Sequence, residues 1–136
     1  MKTWTEKLNA DDRHEVKPAP TNIAGMKTGE VMFVPTARQV DDFIRTVPRG
    51  HQMEVRALRQ AMAAQHGAQV TCPITTGFHL RTVAEAAYEA YRHSVDVETI
   101  TPFWRVMNIN TPTITKLTFG TAFVLEQRRR EGLDDA

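Results

Sequence analysis

Few side chains in this chain of 136 residues could act as a nucleophile or hold a metal. Cys72 is the single thiol. A thiol reacts as its thiolate, and a helix N-terminus can favour that form, but no histidine is spaced to serve Cys72 as a base. It reads as a small apolar residue. The histidines, His14, His51, His66, His79 and His93, show no metal-ligand spacing, so no metal site is expected and no cofactor is implied. No Gly-rich phosphate loop and no Ser-His-Asp order is present. What remains is a group of arginines and aromatics in Thr71–Met107. Arg81 has Glu85 four residues on, and Phe103, Trp104 and Arg105 directly follow Pro102.

The elements that must position these residues are helical. Leu80, Ala84, Ala87 and Tyr91 recur at i, i+4, i+7 and i+11 with Val83 beside them, an apolar stripe that predicts a helix over Thr75–Arg92. Thr75 or Thr76 is expected to cap it, with Pro73 blocking extension backwards. Arg81, Glu85, Tyr88 and Arg92 form the adjoining stripe, expected to face solvent or a partner. Thr36 and Gln39 make a capping box for a helix to Val47, with Val40, Phe43, Ile44 and Val47 inward. Pro48–Gly50 ends that helix. Glu54–His66 is the next, with Val55, Leu58, Ala61 and Met62 inward and Arg56 and Arg59 outside the stripe. Phe119–Arg130 makes the last, with Phe123 and Val124 inward and Gly132 beyond its end. Arg128–Arg130 reads as a solvated basic helix end. Thr3 and Glu6 have capping-box spacing for a turn or two of helix. Asp11–Lys27 reads as an extended arm with little structure of its own, and Glu30–Val34 as a short strand.

Several stretches, taken in order, resemble the DNA-binding domain of the O6-alkylguanine–DNA alkyltransferases. They are Val47–Pro48–Arg49–Gly50, Arg81–Thr82–Val83–Ala84, Pro102–Phe103–Trp104–Arg105–Val106 and Gln127–Arg128–Arg129–Arg130–Glu131–Gly132, within roughly Val34–Leu133. In that family a Pro-Cys-His-Arg-Val segment carries the reactive thiol. Here Phe103 stands for the cysteine and Trp104 for the histidine. Phenylalanine has no lone pair, and indole N–H only donates, so alkyl transfer at this position is excluded. The chain is therefore similar to the alkyltransferase-like proteins, which lack the thiol and bind alkylated DNA without repairing it.

The resemblance implies an α+β, mostly helical fold: a winged-helix-like core with an extended N-terminal arm. Residues 1–33 form the arm, 34–133 the domain and 134–136 a tail. The Thr/Pro-rich segment Arg105–Leu117 follows the helices as a wing would. The resemblance further implies double-stranded DNA as partner. Arg81 takes the place of the arginine that enters the base stack. Phe103, Trp104 and Arg105 would form a base pocket, and Glu131 matches a carboxylate that here has no Cys–His pair to serve. Phosphate contacts are expected from Arg56, Arg59 and the backbone of Thr75, Thr76 and Gly77 at a helix start. The competing expectation is a module of the same fold that binds a protein partner, favoured by Glu85 and Glu89 on the same helix.

Composition limits these options. Net charge is +1, so DNA binding has to come from a local patch. No apolar run has membrane-spanning length and no signal-peptide pattern is present, so neither a membrane partner nor export is expected. One cysteine fits a reducing cytoplasm.

Overall fold

A computed structural model describes residues 2–133; the expected tail at 134–136 lies outside the described residues. The fold is a mixed α+β, mostly helical small domain. Helix α1 spans Trp4–Leu8, strand β1 Glu15–Pro18, β2 Val31–Val34, α2 Ala37–Ile44 and α3 Val55–Gln65. Strand β3 spans Val70–Thr71, α4 Pro73–Arg92 and α5 Ala122–Arg130, with 3-10 turns at Phe103–Arg105 and Pro112–Lys116. Among the described residues no helix is long and apolar enough to cross a membrane.

Local chemistry sets the helix ends. Both predicted capping boxes form: the Thr3 and Thr36 hydroxyls accept from the N–H groups of Glu6 and Gln39, whose side chains bond back. Helix α4 begins two residues earlier than its threonines suggested. Pro73 occupies the first helical position, where its missing N–H costs nothing. Cys72 is the cap, its sulfur accepting from the Thr75 N–H at 3.5 Å. The Thr76 hydroxyl instead donates to the Cys72 carbonyl at 2.7 Å. Leu80, Val83, Ala84 and Ala87 are buried as their spacing predicts, and they pack with Val40, Ile44, Leu58, Met62 and Phe103 in one core.

Four expectations need correction. The arm is not without structure: β1 pairs antiparallel with β2 (Glu15 opposite Val34), β2 pairs parallel with β3, and Ala19, Met26 and Met32 form a second small core. Every residue of β1 is exposed and Glu15–Pro18 carries no apolar alternation; the strand is held in main-chain pairing with β2. The long connection between α3 and α4 is explained by β3, which it supplies. The segment Arg105–Leu117 forms no strand. Pro112 has no N–H to give a ladder, and Asn108 and Thr111 close local turns on each other. The stripe Arg81, Glu85, Tyr88, Arg92 is covered along much of its length. Glu85 is buried and accepts from the Thr118 N–H (2.8 Å) and hydroxyl (2.6 Å), and Tyr88 stacks on Phe119 at 4.1 Å. Tyr91, assigned inward, is exposed.

Candidate functional site

Three of the four stretches that carry the resemblance meet at one carboxylate; Arg81–Thr82–Val83–Ala84 does not. Glu131, at the end of α5, has a side chain only 2% exposed. It accepts from the Gly50 N–H (3.0 Å) and from the Trp104 indole N–H (2.7 Å). Arg105 adds a forked pair through Nε (2.9 Å) and Nη2 (3.0 Å), and its Nη1 donates to the Val47 carbonyl at 2.8 Å. Burial alone would raise the Glu131 carboxyl. The Arg105 guanidinium, the Gly50 N–H and the indole outweigh it and hold the group below the ordinary carboxylate range. So the stretches at 47–50, 102–106 and 127–132 are fastened together. Trp104, lying in sequence where a histidine base was looked for, acts as a donor.

A cleft of about 470 Å³ opens beside this network. It lies between the starts of α3 and α4, the turn at Arg105–Asn108 and the segment Asn110–Lys116. Its walls mix apolar side chains (Met53, Val55, Leu80, Val106, Met107) with polar ones (Gln52, Asn108, Thr111). Size and lining suit one small planar group.

The charges around it are unbalanced. Arg59 and Lys116 line the cleft, and Arg56 shares a smaller neighbouring recess with Arg59. None of these three has a carboxylate partner among the described residues. Elsewhere Arg38 and Arg45 face Asp41, Arg49 faces Glu98, and Arg129 and Arg130 face Glu126. Arg13, Arg92, Lys2, Lys7 and Lys27 also lack a carboxylate partner among the described residues, and none of them lines the cleft. Burial, then the like charge of Arg56, pull the Arg59 pKa down, as expected of cations held together without a counter-ion. Glu54 is the one acidic residue of the lining.

The sequence-predicted site residues distribute as follows. Arg56, Arg59, Arg105 and Gly77 lie at or beside the cleft. Thr75 and Thr76 lie at the α4 start, but the Thr75 N–H is given to the Cys72 sulfur and the Thr76 N–H to the Cys72 carbonyl (3.1 Å). Phe103 and Trp104 do not line the cleft: they are 0% and 3% exposed. Phe103 packs among Trp104, Phe119 and Phe123, and the Trp104 N–H is spent on Glu131. Arg81 was expected to be exposed on a shared surface with that turn. It is half-buried instead, 3.7 Å from Glu85 and over the Trp4 ring, on the side of α4 covered by α1. The acidic residues that favoured a protein partner are also used internally: Glu89 accepts from Trp4 and Thr5 at the start of α1.

Sequence reasoning missed Lys116 and the true role of Arg128. Arg128 is 1% exposed and donates to the Trp104 carbonyl (2.8 Å), the Met107 carbonyl (3.2 Å) and the Gln52 side chain (2.5 Å), forming part of the cleft wall. No local pattern separates it from Arg129 and Arg130. Cys72 is half-buried and its sulfur is occupied by Thr75. His79 donates to the Pro35 carbonyl at 2.9 Å; burial lowers its pKa against the opposing effects of that bond and Asp12. Among the described residues no group of three His, Cys, Asp or Glu could hold a metal ion. Comparison of the chain with family models, curated proteins and solved structures returns no match.

Proposed function

We propose that this protein is a non-catalytic DNA-binding module of the alkyltransferase-like type, which holds double-stranded DNA against the cleft and takes an extruded base, with alkylated guanine as the favoured occupant. One observation carries the reading: a chain of net charge +1 leaves Arg56, Arg59 and Lys116 without carboxylate partners around one cleft. Unpaired cations on a rim suit a polyanion, whose bound counter-ions they release. On this reading α3 and α4 serve as the helix pair of a winged-helix-like core, with Asn108–Lys116 in the place of a wing. The meeting of Gly50, Trp104, Arg105 and Glu131 supports the resemblance, since residues far apart in sequence converge where the resemblance requires them.

A titration of plain and O6-methylguanine duplexes at 50 and 200 mM salt tests this. Three phosphate contacts give a slope of roughly −2.7 in log affinity against log salt, so affinity falls about 40-fold over that range. Removing Arg59 or Lys116 lowers affinity for both duplexes alike and reduces the slope by about one each. Binding that ignores salt, or equal affinity for the two duplexes, would remove the polyanion or the lesion part of the reading respectively. Intact mass after incubation with the lesion duplex should stay unchanged, because Phe103 offers no nucleophile. A methyl adduct on Cys72 would overturn the non-catalytic reading.

A second reading, a protein-docking module, draws on one observation: Ile74, Phe78 and Ile109 are 52%, 72% and 59% exposed. It predicts no measurable affinity for either duplex.

A further inference from the structure

We propose that Ile74 and Phe78 form an apolar wedge that enters the base stack of the bound duplex beside the cleft, the part that the sequence suggested for Arg81. The inference rests on the DNA-binding reading above and names the side chains that would open the duplex.

The argument begins with the outer side of α4. Helix α1 covers its middle, where Trp4 lies against Arg81 and the first N–H groups of α1 are held by Glu89. In its first two turns Ile74 and Phe78 are left exposed. Ile74 and Phe78 stand there at i and i+4, so they project side by side. Large apolar side chains this bare are costly in water and mark a contact surface. Their neighbours Pro73 and Gly77 line the cleft. A Cβ added at Gly77 would meet nothing within 4 Å, so the approach beside Phe78 is open.

The charges select the occupant. An apolar pair whose helix neighbours Pro73 and Gly77 share the cleft lining with Arg59 and Lys116, Glu54 being the one acid of that lining, faces a partner that is anionic along its edge and apolar inside. Duplex DNA is such a partner: phosphates outside, stacked base faces within. Apolar side chains inserted at a base step unstack it and kink the helix. A wedge beside a cavity has a clear use, because the base it displaces needs somewhere to go. A protein's apolar patch would instead have to approach through uncompensated cations.

The test uses the full chain and a duplex with 2-aminopurine at the target step, whose fluorescence rises on unstacking. Binding is followed in parallel by anisotropy at two salt concentrations. The wild type should bind with a steep salt dependence and raise the fluorescence. The double variant Ile74→Ala/Phe78→Ala should lose the fluorescence rise and keep the salt slope. Phe78→Trp should retain the rise, and Arg81→Ala should leave both readouts unchanged. Circular dichroism shows whether each variant keeps its helices, as surface substitutions should. If the double variant keeps the full rise, the wedge is wrong and the DNA reading stands; if the wild type binds with a steep salt dependence but without a rise, the wedge and the extruded base both fall and only the duplex binding stands. If the wild type binds neither duplex, both fall, and the bare pair is better explained as a protein contact.

Discussion

Replacing Glu131 with alanine is expected to lower the unfolding free energy by about 3–5 kcal/mol, the cost of leaving a buried cation without its partner. The carboxylate collects four donors from two other segments, and two of them belong to Arg105, whose side chain is 13% exposed. Its loss also orphans the Trp104 indole N–H and the Gly50 N–H. Urea unfolding of wild type and variant measures this; a change under about 1 kcal/mol would mean that the network contributes little. The same group sets a pH dependence. Its folded pKa is lowered, so its contribution is complete above the ordinary glutamate value of about 4.3 and is lost as pH falls through the folded value. The wild type should therefore lose stability on acidification below that range. Glu131→Gln should lose less over the same interval, because it has no proton to take up there. Glu126 and Glu89, also held low by their partners, remain in both proteins and account for the residual slope.

Arg128→Ala is expected to cost a similar amount, about 3–5 kcal/mol, because it leaves the buried Trp104 and Met107 carbonyls without their donor, at about 1–3 kcal/mol each, and also loses the part-buried bond to Gln52. Arg128→Met separates shape from charge: it fills much of the same volume and leaves the acceptors unpaired. If the bonds matter more than the packing, methionine recovers little of the loss. Arg129→Ala and Arg130→Ala, whose partner Glu126 lies at the surface, should leave the unfolding midpoint unchanged. Arg128 also forms part of the cleft wall, so on the proposed function its removal should weaken duplex affinity even under conditions where the variant remains folded. Retained affinity would place the binding surface elsewhere.

These arginines show where sequence reading reaches its limit. Helix α4 was legible through Leu80, Val83, Ala84 and Ala87, and α2 through Thr36 and Gln39. Helical period and capping act over three or four residues, so the pattern and its cause lie in the same short window. The absence of a nucleophile at Phe103 was legible too, because it depends on residue type alone. Lys116 joins the cleft only because the chain returns to α4 after the turn at Phe103–Arg105.

By itself, then, the amino-acid order determined the helices, the apolar core positions and the chemistry that residue 103 is unable to perform. The tertiary structure decided which polar side chains are internal. Arg128, Arg129 and Arg130 are adjacent and alike, yet only the first meets carbonyls more than twenty residues away. Glu85 is buried because Thr118 reaches it, and Glu131 because Gly50 does, 81 positions distant. Arg81 and Phe78 lie on one helix, and the placement of α1 covers the first and leaves the second bare. A hydrogen-bond donor or a covering helix brought in from a distant segment leaves no mark on the residues beside the group it serves. Such groups can be recognised only once the chain has brought them together.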